Sequence, residues 1–560
     1  MKSYLITCNL IINKLIGNKK FFIFPLFILQ SIIEIFTLVI VLGLIRIIFD
    51  GGTQEIFYLK DFSKSIQINI LSIFSIIFIS LSFGLTLLIN YIVFKLGFKI
   101  QNKLIFELYN LYLKSDYIKL SKYSFSKYQS TIQNESRRIS TFVIIPYFLV
   151  ISKIFIISMI VVTLLYVNYK ITFLLGFFII IITYYSSTAF SKKIKNHGRT
   201  IFDIDKKILQ IFSMTYFAFK EIRLNHLTEI SNKTLARYQK KIAKTFVENK
   251  FITSLLSNSI ELLLFILIFL LLIFLNKTNS LVSNLYSEVS FFIFASIKLM
   301  PHIKQLNNNF TSIRTHIISY KNYKKMKDEL NNGANFETKT IKNDIKEITN
   351  LTIKNLKFSY PESSRQTLNI KRLNFKSNTI IGIYGPSGSG KTTLLDIISG
   401  LIIIPGQNQG LFINNIKVNE ENSLNYYNFV SYVHQKTFLL EDSIKKNIIL
   451  NNDFIAKKYE SICSITNIKK IIKDKKNNEI IKLGREKLSG GQLQRLSIAR
   501  ALYKDPTILI LDEATNAMDE KNQKLILKNL SKLKKIKYIF LCSHDAKVMK
   551  FCNSVIKLKD

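Results

Sequence analysis

The residue types with the most specific chemistry form a glycine-rich loop in the last third of the chain. The loop consists of Gly385, Pro386, Ser387, Gly388, Ser389, Gly390, Lys391, Thr392 and Thr393. Glycines let successive backbone N–H groups turn inward around a phosphate, and a helix that starts at the loop adds positive potential. We therefore expect Lys391 to contact the β- and γ-phosphates of a nucleotide and the Thr392 hydroxyl to bind Mg²⁺.

The elements predicted around the loop are those that such a site requires. An apolar strand precedes it at Thr379–Tyr384, and a helix follows it at Leu394–Ser399. A second apolar strand, Thr507–Leu511, ends in two carboxylates, Asp512 and Glu513. We expect Asp512 to lie in the Mg²⁺ shell and Glu513 to orient and deprotonate an attacking water.

A third motif lies between these two. It consists of Leu488, Ser489, Gly490, Gly491 and Gln492, and a helix is predicted after it at Leu493–Leu502. With this motif, the segment from about Leu351 to the end of the chain resembles the ATP-binding-cassette family, whose signature sequence it is. The resemblance implies an α/β P-loop ATPase domain that binds ATP and Mg²⁺.

The same resemblance implies roles for four further residues. Tyr360 is similar to the aromatic residue that stacks on adenine. Gln435 is similar to the Q-loop glutamine, which implies that it acts in catalysis and binds Mg²⁺. Asp519 takes the D-loop position, and His544 is similar to the switch histidine that contacts the γ-phosphate. Each would be an ordinary residue alone, and their shared order and spacing carry the assignment.

In this family the signature loop of one domain grips the γ-phosphate held by the phosphate loop of another. Its position at a helix N-terminus suits it to bind an anion. This chain carries one such domain, so the resemblance implies a second chain, most simply an identical one. Since Glu513, His544 and the signature residues are intact, both sites of that homodimer are expected to hydrolyse ATP.

Two stretches depart from the family pattern. Residues 482–487 lack the Gly-Glu-x-Gly sequence usual in exporters, and the D-loop reads Asn516-Ala-Met-Asp519 instead of Ser-Ala-Leu-Asp. Neither departure removes a catalytic group. The first leaves open how the domain communicates with the rest of the chain.

Long apolar runs fill the part of the chain that precedes this domain. The chain has 560 residues, of which 48% are hydrophobic. Most of the runs reach the ~20 residues that a helix needs to cross a bilayer. Six spans are predicted, at Phe21–Phe49, Ile66–Phe94, Phe142–Val167, Ile171–Phe190, Phe251–Leu275 and Leu285–Met300.

Basic residues indicate how the spans are oriented. The segments after the second and fourth spans are long and rich in Lys and Arg, whereas the loops near Asn168 and Asn276 are short and nearly uncharged. The positive-inside rule then predicts cytoplasmic termini, cytoplasmic long segments and a cytoplasmic nucleotide domain. We expect a multi-pass protein of the inner, cytoplasmic membrane that contacts membrane lipids.

Apolar residues at helical spacing predict that the spans continue as helices into the cytoplasm. These extensions are expected to turn back through short helices near Ser126–Glu135 and Phe212–Glu221. The polar stretch Tyr320–Asp344 is typical of a linker. The predicted domains are a cytoplasmic segment at 1–20, a six-helix transmembrane domain at 21–325, a linker at 326–350 and the nucleotide-binding domain at 351–560.

Three charged residues lie inside predicted spans: Glu34, Lys153 and Glu261. Charge within a membrane is costly, so each is expected to face a cavity or a partner helix. Glu34 is the foremost candidate for contact with a transported substrate, and a helix-to-helix hydrogen bond is an equally good interpretation of it.

The net charge of +41 raises the question of a nucleic-acid partner. Basic residues that flank hydrophobic spans and contact anionic lipid explain the charge better, so no nucleic acid is expected. The four cysteines form no Cys-x-x-Cys pair, and three of them lie in the nucleotide domain. They are predicted to be reduced thiols and not a disulfide framework or a zinc site.

Spans fused ahead of a single cassette are similar to the exporter branch of the family. Because few residues precede the first predicted span, no N-terminal peptidase domain is expected. Phe219–Leu224 and Lys298–Lys304 resemble stretches of lipid-linked oligosaccharide flippases, which implies ATP-driven export or flipping of an amphiphile. Export of a peptide or a drug-like molecule is an alternative, and so are a nucleotide-gated channel or regulator and an ATPase that acts on nucleic acid.

Overall fold

The computed structural model describes residues 8–9, 12–13, 17, 22–49, 62–120, 125–277, 283–331, 345–360, 366–469, 472 and 488–558. The chain divides into two compact units. The helical unit comprises Met1–Leu113 and Tyr123–Glu329, and the nucleotide unit comprises Lys114–Lys122 and Leu330–Asp560.

Six long helices, α1 to α6, build the helical unit within the described residues. They are Phe24–Phe49, Lys64–Leu113, Ile145–Val167, Tyr169–Phe217, Thr228–Lys277 and Ser283–Asn331. Helix α1 packs against α2 and α3, and α4 packs against α5. Each of the six predicted spans falls largely within one of these helices, and several helices extend well beyond the span, as predicted.

Three helical segments are long and apolar enough to cross a membrane, judged by length and composition in the described part of the chain. They are Phe24–Phe49, Lys64–Leu113 and Ser126–Val167. Helix α2 leaves many large apolar side chains exposed, including Ile76, Phe83 and Tyr91. Such a surface is unfavourable in water and favourable against lipid or a partner helix. The three later spans stay predictions.

The first predicted turn, at Ser126–Glu135, is wrong. The chain turns earlier, after α2 ends at Leu113, and the short helix Tyr117–Leu120 lies in that turn. Residues 125–144 are helical and lead into α3: short α-helices at Phe125–Gln129 and Ser136–Ile139 alternate with π-helical turns at Ser130–Glu135 and Ser140–Ile144. The polar residues that suggested a loop, such as Thr131 and Glu135, are buried inside the unit.

The second predicted turn agrees with the structure. Helix α4 ends at Phe217, the short helix Phe219–Leu224 follows, and α5 begins at Thr228. His226 has a positive φ of 56°, which suits the tight reversal before α5.

The predicted linker begins too early. Helix α6 continues to Asn331, so the polar stretch from Tyr320 to Asn331 is helical. Tyr323 and Met326 are buried, and the Tyr323 hydroxyl donates to the Glu107 carboxylate of α2 at 2.8 Å. These tertiary contacts hold a polar sequence in a helix. The remainder of the predicted linker, residues 332–344, lies outside the described residues.

Nine strands form two sheets in the described part of the nucleotide unit. Their bounds are β1 Leu351–Phe358, β2 Leu368–Phe375, β3 Thr379–Tyr384, β4 Gly410–Ile413, β5 Ile416–Lys417, β6 Val430–Val433, β7 Ile508–Asp512, β8 Tyr538–Cys542 and β9 Ser554–Lys557. The antiparallel sheet has the order β2-β1-β4-β5, and the parallel sheet has the order β6-β7-β8-β3-β9.

Helices surround these sheets. They are Lys391–Ile398, Ser423–Tyr427, Ile444–Ile449, Ala456–Ile465, Gly490–Tyr503, Glu520–Ser531 and Ala546–Met549. Strands β7 and β8 are buried along their whole length, which explains their continuous apolar sequences. The short helix Tyr117–Leu120 belongs to this unit, because Ile118 packs against its apolar core.

Candidate active site

The phosphate loop joins β3 to the helix that begins at Lys391, in the strand–loop–helix order predicted. Gly388 and Gly390 both have φ of 86°, a conformation that side chains other than glycine rarely adopt. A Cβ atom at Gly390 would also collide with Leu368 and approach the carbonyl of Thr367. These two glycines are therefore required by the backbone path of the loop.

The polar atoms of the loop suit a phosphate group. The Lys391 ammonium donates to the carbonyl oxygens of Gly385 and Pro386 at 2.9 and 2.7 Å. The Ser389 hydroxyl is buried and has no hydrogen-bond partner among the described atoms. Buried polar groups normally have a partner, so this hydroxyl and the glycine cradle fit the oxygens of a bound phosphate.

Glu513 lies at the centre of a polar cluster next to the loop. Its Oε1 accepts a contact of 2.6 Å from His544 Nε2, and its Oε2 accepts a hydrogen bond of 2.8 Å from Gln435 Nε2. Gln435, Glu513 and His544 follow β6, β7 and β8, which are adjacent and parallel. The carboxyl ends of parallel strands meet at one edge of a sheet, which is why residues distant in sequence converge here.

The backbone of Glu513 is strained. Its φ is 51°, in the left-handed region that a non-glycine residue occupies at a cost. The Glu513 N–H donates to the Cys542 carbonyl at 3.0 Å, which ties the strained residue to β8. Strain of this kind persists where the surrounding structure holds it, and it orients the carboxylate toward His544 and Gln435.

Asp512, the last residue of β7, is buried beside two groups that the sequence analysis missed. The Tyr432 hydroxyl donates to Asp512 Oδ2 at 3.0 Å. Burial, together with the charge of Asp512, raises the pKa of Asp396 to about 7. The exposed Thr392 hydroxyl and the Asp512 carboxylate are the hard oxygen ligands that Mg²⁺ prefers, so the residues present fit that ion.

The signature residues start the helix Gly490–Tyr503. Ser489 caps it: its hydroxyl accepts from the Gln492 N–H at 3.3 Å, and the Ser489 N–H donates to the Gln492 side chain at 2.9 Å. This reciprocal capping begins the helix three residues earlier than predicted. In the described residues, no hydrogen bond or ion pair joins residues 488–492 to the phosphate loop.

Tyr360 and Asp519 make local contacts. The Tyr360 hydroxyl lies 3.2 Å from the Thr393 hydroxyl of the phosphate loop, and its ring packs edge-on against Phe358. Asp519 caps the helix Glu520–Ser531, where hydrogen bonds from Asn522 hold its pKa below the usual value.

Of the two departures from the family pattern, one can be described. The Asn516 amide accepts from the Ser543 hydroxyl at 3.3 Å and donates to Glu513 Oε2 at 3.4 Å. Asn516 is therefore the third side chain at the Glu513 carboxylate. The other departure, residues 482–487, lies outside the described residues.

A second polar cluster lies inside the helical unit. Glu34 of α1 accepts a hydrogen bond from Ser82 of α2 and pairs with Lys298 of α6 at 3.2 Å. Lys153 of α3 is buried close to this carboxylate. Of the two interpretations of Glu34, the helix-to-helix contact is the one observed.

Two further contacts extend this pattern. Gln30 of α1 donates to Thr86 of α2 at 2.7 Å and accepts from Ser152 of α3 at 3.3 Å. Glu261 of α5 pairs with Lys304 of α6. All three charged residues that the sequence analysis placed inside predicted spans therefore lie next to charged or polar groups of other helices.

The comparison with known families decides the identity of the nucleotide unit. Residues 368–516 match the family model described as ABC transporter. This unit is an ABC transporter cassette. The resemblance stated from its motifs is confirmed, and a cassette of this family binds ATP.

Two curated relatives match part of this chain. An export ATP-binding/permease protein of Rickettsia bellii is 33% identical over 38% of this chain and 38% of its own length. The ATP-dependent lipid A-core flippase 2 of Colwellia psychrerythraea is 29% identical over 46% of this chain and 44% of its own length. The matched region thus spans less than half of each relative.

A solved structure extends the comparison beyond the cassette. A bacterial Atm1-family ABC exporter with ATP bound aligns with a TM-score of 0.77 over 95% of this chain and 92% of the exporter, at 16% identity. At that identity the likeness shows the fold. The predicted fold class, a helical bundle followed by a cassette, is confirmed.

The cassette also contains a buried polar residue next to Glu513 that the motifs did not reveal. Gln494 is buried; its side chain donates to the Glu513 carbonyl at 3.3 Å and accepts from the Ala517 N–H at 3.0 Å. Gln494 therefore links the signature helix to the backbone of Glu513 and to the backbone of Ala517 in the D-loop. A buried polar residue on a predicted apolar helix face was the only signal available in the sequence.

Proposed function

We propose that this chain is one half of a homodimeric exporter that hydrolyses ATP to move an amphiphile across the cytoplasmic membrane. The observation that carries the proposal is the contact of Glu513 with Gln435 and His544, beside a phosphate loop that fits a nucleotide. The exporter fold of the whole chain supports coupling of this site to the helical unit.

In the proposed reaction, Glu513 accepts a proton from the water that attacks the γ-phosphate, and His544 contacts that phosphate. Lys391 leaves the carbonyls of Gly385 and Pro386 to contact the β- and γ-phosphates. Tyr360 stacks on adenine. The strained backbone of Glu513 keeps its carboxylate in position before nucleotide arrives.

Thr392, Asp512 and Gln435 would hold Mg²⁺, which neutralises charge on the phosphates when it is bound. In the described structure Gln435 bonds to Glu513 instead. Gln435 and His544 therefore have to exchange their contact with Glu513 for contacts with the bound nucleotide. This exchange would link nucleotide binding to release of the carboxylate for catalysis.

The second copy of the chain supplies the signature loop. The Ser489–Gly491 turn begins a capped helix whose N-terminal N–H groups suit a γ-phosphate. Closure of two cassettes around two ATP molecules would favour an outward-facing helical unit, and hydrolysis would restore the inward-facing one. The Tyr117–Leu120 helix, which packs with the cassette, is a candidate to transmit this change.

A lipid or a lipid-linked oligosaccharide is the proposed class of substrate. One support is the name of the Colwellia relative, a lipid A-core flippase. Another is the stretch Phe219–Leu224, which resembles part of lipid-linked oligosaccharide flippases and forms the short helix between α4 and α5.

The experiment that tests the proposal compares the parent chain with Glu513→Gln in liposomes. We expect ATP hydrolysis and movement of a fluorescent lipid-linked sugar to fall together, by about 100-fold or more. Glu460→Gln, at an exposed site on the helix Ala456–Ile465, serves as the matched control and should retain both activities.

Different results would point to the alternatives. ATP turnover that persists in Glu513→Gln would contradict the catalytic assignment. Substrate movement without ATP turnover in the parent would indicate a nucleotide-gated channel, and transport of a labelled peptide alone would indicate the peptide-export alternative.

The dimer is tested in the Glu513→Gln background by the amount of ATP that stays bound after dilution. Chains carrying Lys391→Ala, paired with chains carrying Ser489→Arg, retain one intact composite site per mixed dimer. A chain that carries both changes, paired with an unaltered partner, retains none. The two mixed dimers are purified away from the homodimers before the measurement, and equal occlusion in them would contradict sites shared between chains.

A further inference from the structure

A cavity of about 740 Å³ lies inside the helical unit, between the helical stretch before α3 and helices α4, α5 and α6. Its volume is that of a typical binding pocket for a small organic molecule. Its described lining contains cations, amides, hydroxyls and two phenylalanines, and no acidic residue.

The cavity lies at the predicted cytoplasmic boundary of the membrane spans. Lys250 precedes the span predicted at Phe251–Leu275, Arg138 precedes the one at Phe142–Val167, and Lys304 follows the last predicted span. Lipid headgroups of the cytoplasmic leaflet lie at this depth. The position thus suits the polar end of an amphiphile whose chains remain in the bilayer.

The cations of the lining are not equivalent. Arg138 pairs with Glu135 and Asp205, and Lys304 pairs with Glu261. Lys250 makes no ion pair or hydrogen bond through its side chain in the described part of the protein. The described lining therefore offers one unpaired positive charge, on an exposed lysine at the cavity wall, and this charge favours an anionic ligand.

The uncharged groups favour hydroxyl-rich ligands. The hydroxyls of Thr253 and Thr315 already donate to carbonyls of their own helices, so their oxygens remain available as acceptors. The Asn249 side-chain oxygen is buried at the cavity and has no hydrogen-bond partner in the described structure. A buried acceptor without a partner is costly, and a ligand hydroxyl would relieve that cost.

The two phenylalanines add an apolar surface. Phe246 is 44% exposed, and Phe142 stacks against His316. Aromatic faces complement flat apolar surfaces such as one face of a sugar ring. Acceptors, one free cation and aromatic faces together match a phosphorylated or carboxylated sugar better than a neutral lipid or an apolar drug.

We propose that this cavity binds the headgroup of the transported amphiphile, and that this headgroup is a sugar carrying an anionic group. Lys250 neutralises the anion, and Asn249 accepts hydrogen bonds from the sugar hydroxyls. The inference rests on the proposed function, because it names the substrate class of that transporter.

The test uses the absence of tryptophan from the sequence. Phe246→Trp introduces the one tryptophan of the variant at the cavity, where it can be excited apart from the tyrosines, in the full chain reconstituted in nanodiscs without ATP. The probes are octyl lactoside bearing one phosphate, unphosphorylated octyl lactoside, and lactose phosphate without the alkyl chain. We expect the phosphorylated glycolipid to bind about 10-fold or more tightly than the unphosphorylated one and than the free sugar phosphate.

Two charge variants in the Phe246→Trp background complete the test. Lys250→Gln should abolish the preference for phosphate. Lys240→Gln, at an exposed lysine of the same helix outside the cavity, should retain it. Equal binding of the two glycolipids, or an unchanged preference in Lys250→Gln, would overturn the proposal. If lactose phosphate binds as tightly as the phosphorylated glycolipid, the alkyl chain adds nothing to binding. That result would contradict the proposal that the ligand is the headgroup of a lipid.

Calorimetric titration of the parent chain with the same probes replaces the fluorescence readout if the tryptophan variant does not fold. Binding is measured without nucleotide, so a failure of ATP-driven transport is registered separately. Transport with no headgroup preference would overturn this inference and leave the proposed function intact.

Discussion

The cassette and the helical unit assemble their polar sites in different ways. In the cassette, the groups around Glu513 follow the ends of adjacent strands, and each belongs to a short, ordered motif. In the helical unit, Glu34 contacts Ser82 and Lys298, which lie 48 and 264 residues away and belong to no motif. The backbone determines the first site, whereas helix packing determines the second.

This difference predicts which changes each unit tolerates. A buried charged pair between helices is sensitive to loss of one partner, because the other charge then stays buried and uncompensated. A motif at a strand end is sensitive in catalysis and less so in folding, since its side chains point to an open edge of the sheet.

The largest expected effect comes from Glu34→Leu, which leaves the Lys298 ammonium without its carboxylate. The free energy of unfolding should fall by about 3 kcal/mol, measured by denaturant titration in detergent. The double variant Glu34→Leu/Lys298→Leu should recover part of that loss, because the Lys298 charge is then removed as well, whereas buried Lys153 still lacks the carboxylate.

Glu229→Leu is the control, since its pair with Lys233 is exposed and should change stability by about 0.5 kcal/mol or less. If the losses of unfolding free energy from the two single variants simply add in the double variant, Glu34 and Lys298 are not a coupled pair. The proposed difference between the helical unit and the cassette would then have no support.

A smaller effect is expected where α4 and α6 approach closely. A Cβ atom at Gly198 would overlap the carbonyl oxygen of Thr315, which cannot move without displacing α6. Gly198→Ala should therefore lower the free energy of unfolding by about 2 kcal/mol, read from the same titration. At Gly84 of α2 a Cβ atom meets nothing, so Gly84→Ala should be neutral or stabilising. Similar losses for both would argue against this close approach.

The smallest effect on stability is expected in the cassette, from Gln494→Leu. The Ala517 N–H loses its partner, which costs about 1 kcal/mol. ATP turnover should fall more noticeably, because the Glu513 carbonyl and the D-loop lose their common support, while ATP affinity should change little. Gln409→Leu, at an exposed position, controls for the substitution type. A proportional loss of ATP affinity and turnover would indicate general damage to the fold.

The accuracy of the sequence predictions follows the same division. Strand Thr379–Tyr384 has the predicted bounds, because glycines of the phosphate loop end it and its apolar residues are buried on both faces. The turn at Ser126–Glu135 and the linker from Tyr320 were wrong, because polar residues there pack inside the unit instead of facing water. A polar stretch of sequence therefore indicates a loop only where its side chains find no hydrogen-bond partner inside the folded unit.

Gln494 and Tyr432 show the same limit within the cassette. Both are polar residues among apolar neighbours, and their partners Ala517 and Asp512 lie on other elements. Nothing in the local sequence distinguishes them from other polar core residues that merely have their hydrogen bonds satisfied. Their contribution depends on which strands and helices become neighbours.

By itself the sequence determined the phosphate loop, the carboxylates at the end of β7, the signature turn and the apolar helices, since each depends on chain-local geometry or on a run of like residues. Only the tertiary structure decided that Glu34 pairs with Lys298, that Gln494 supports Glu513 and that Lys250 lines a polar cavity. These contacts join distant segments, and the pairing of distant side chains is set by packing, which one sequence does not specify locally.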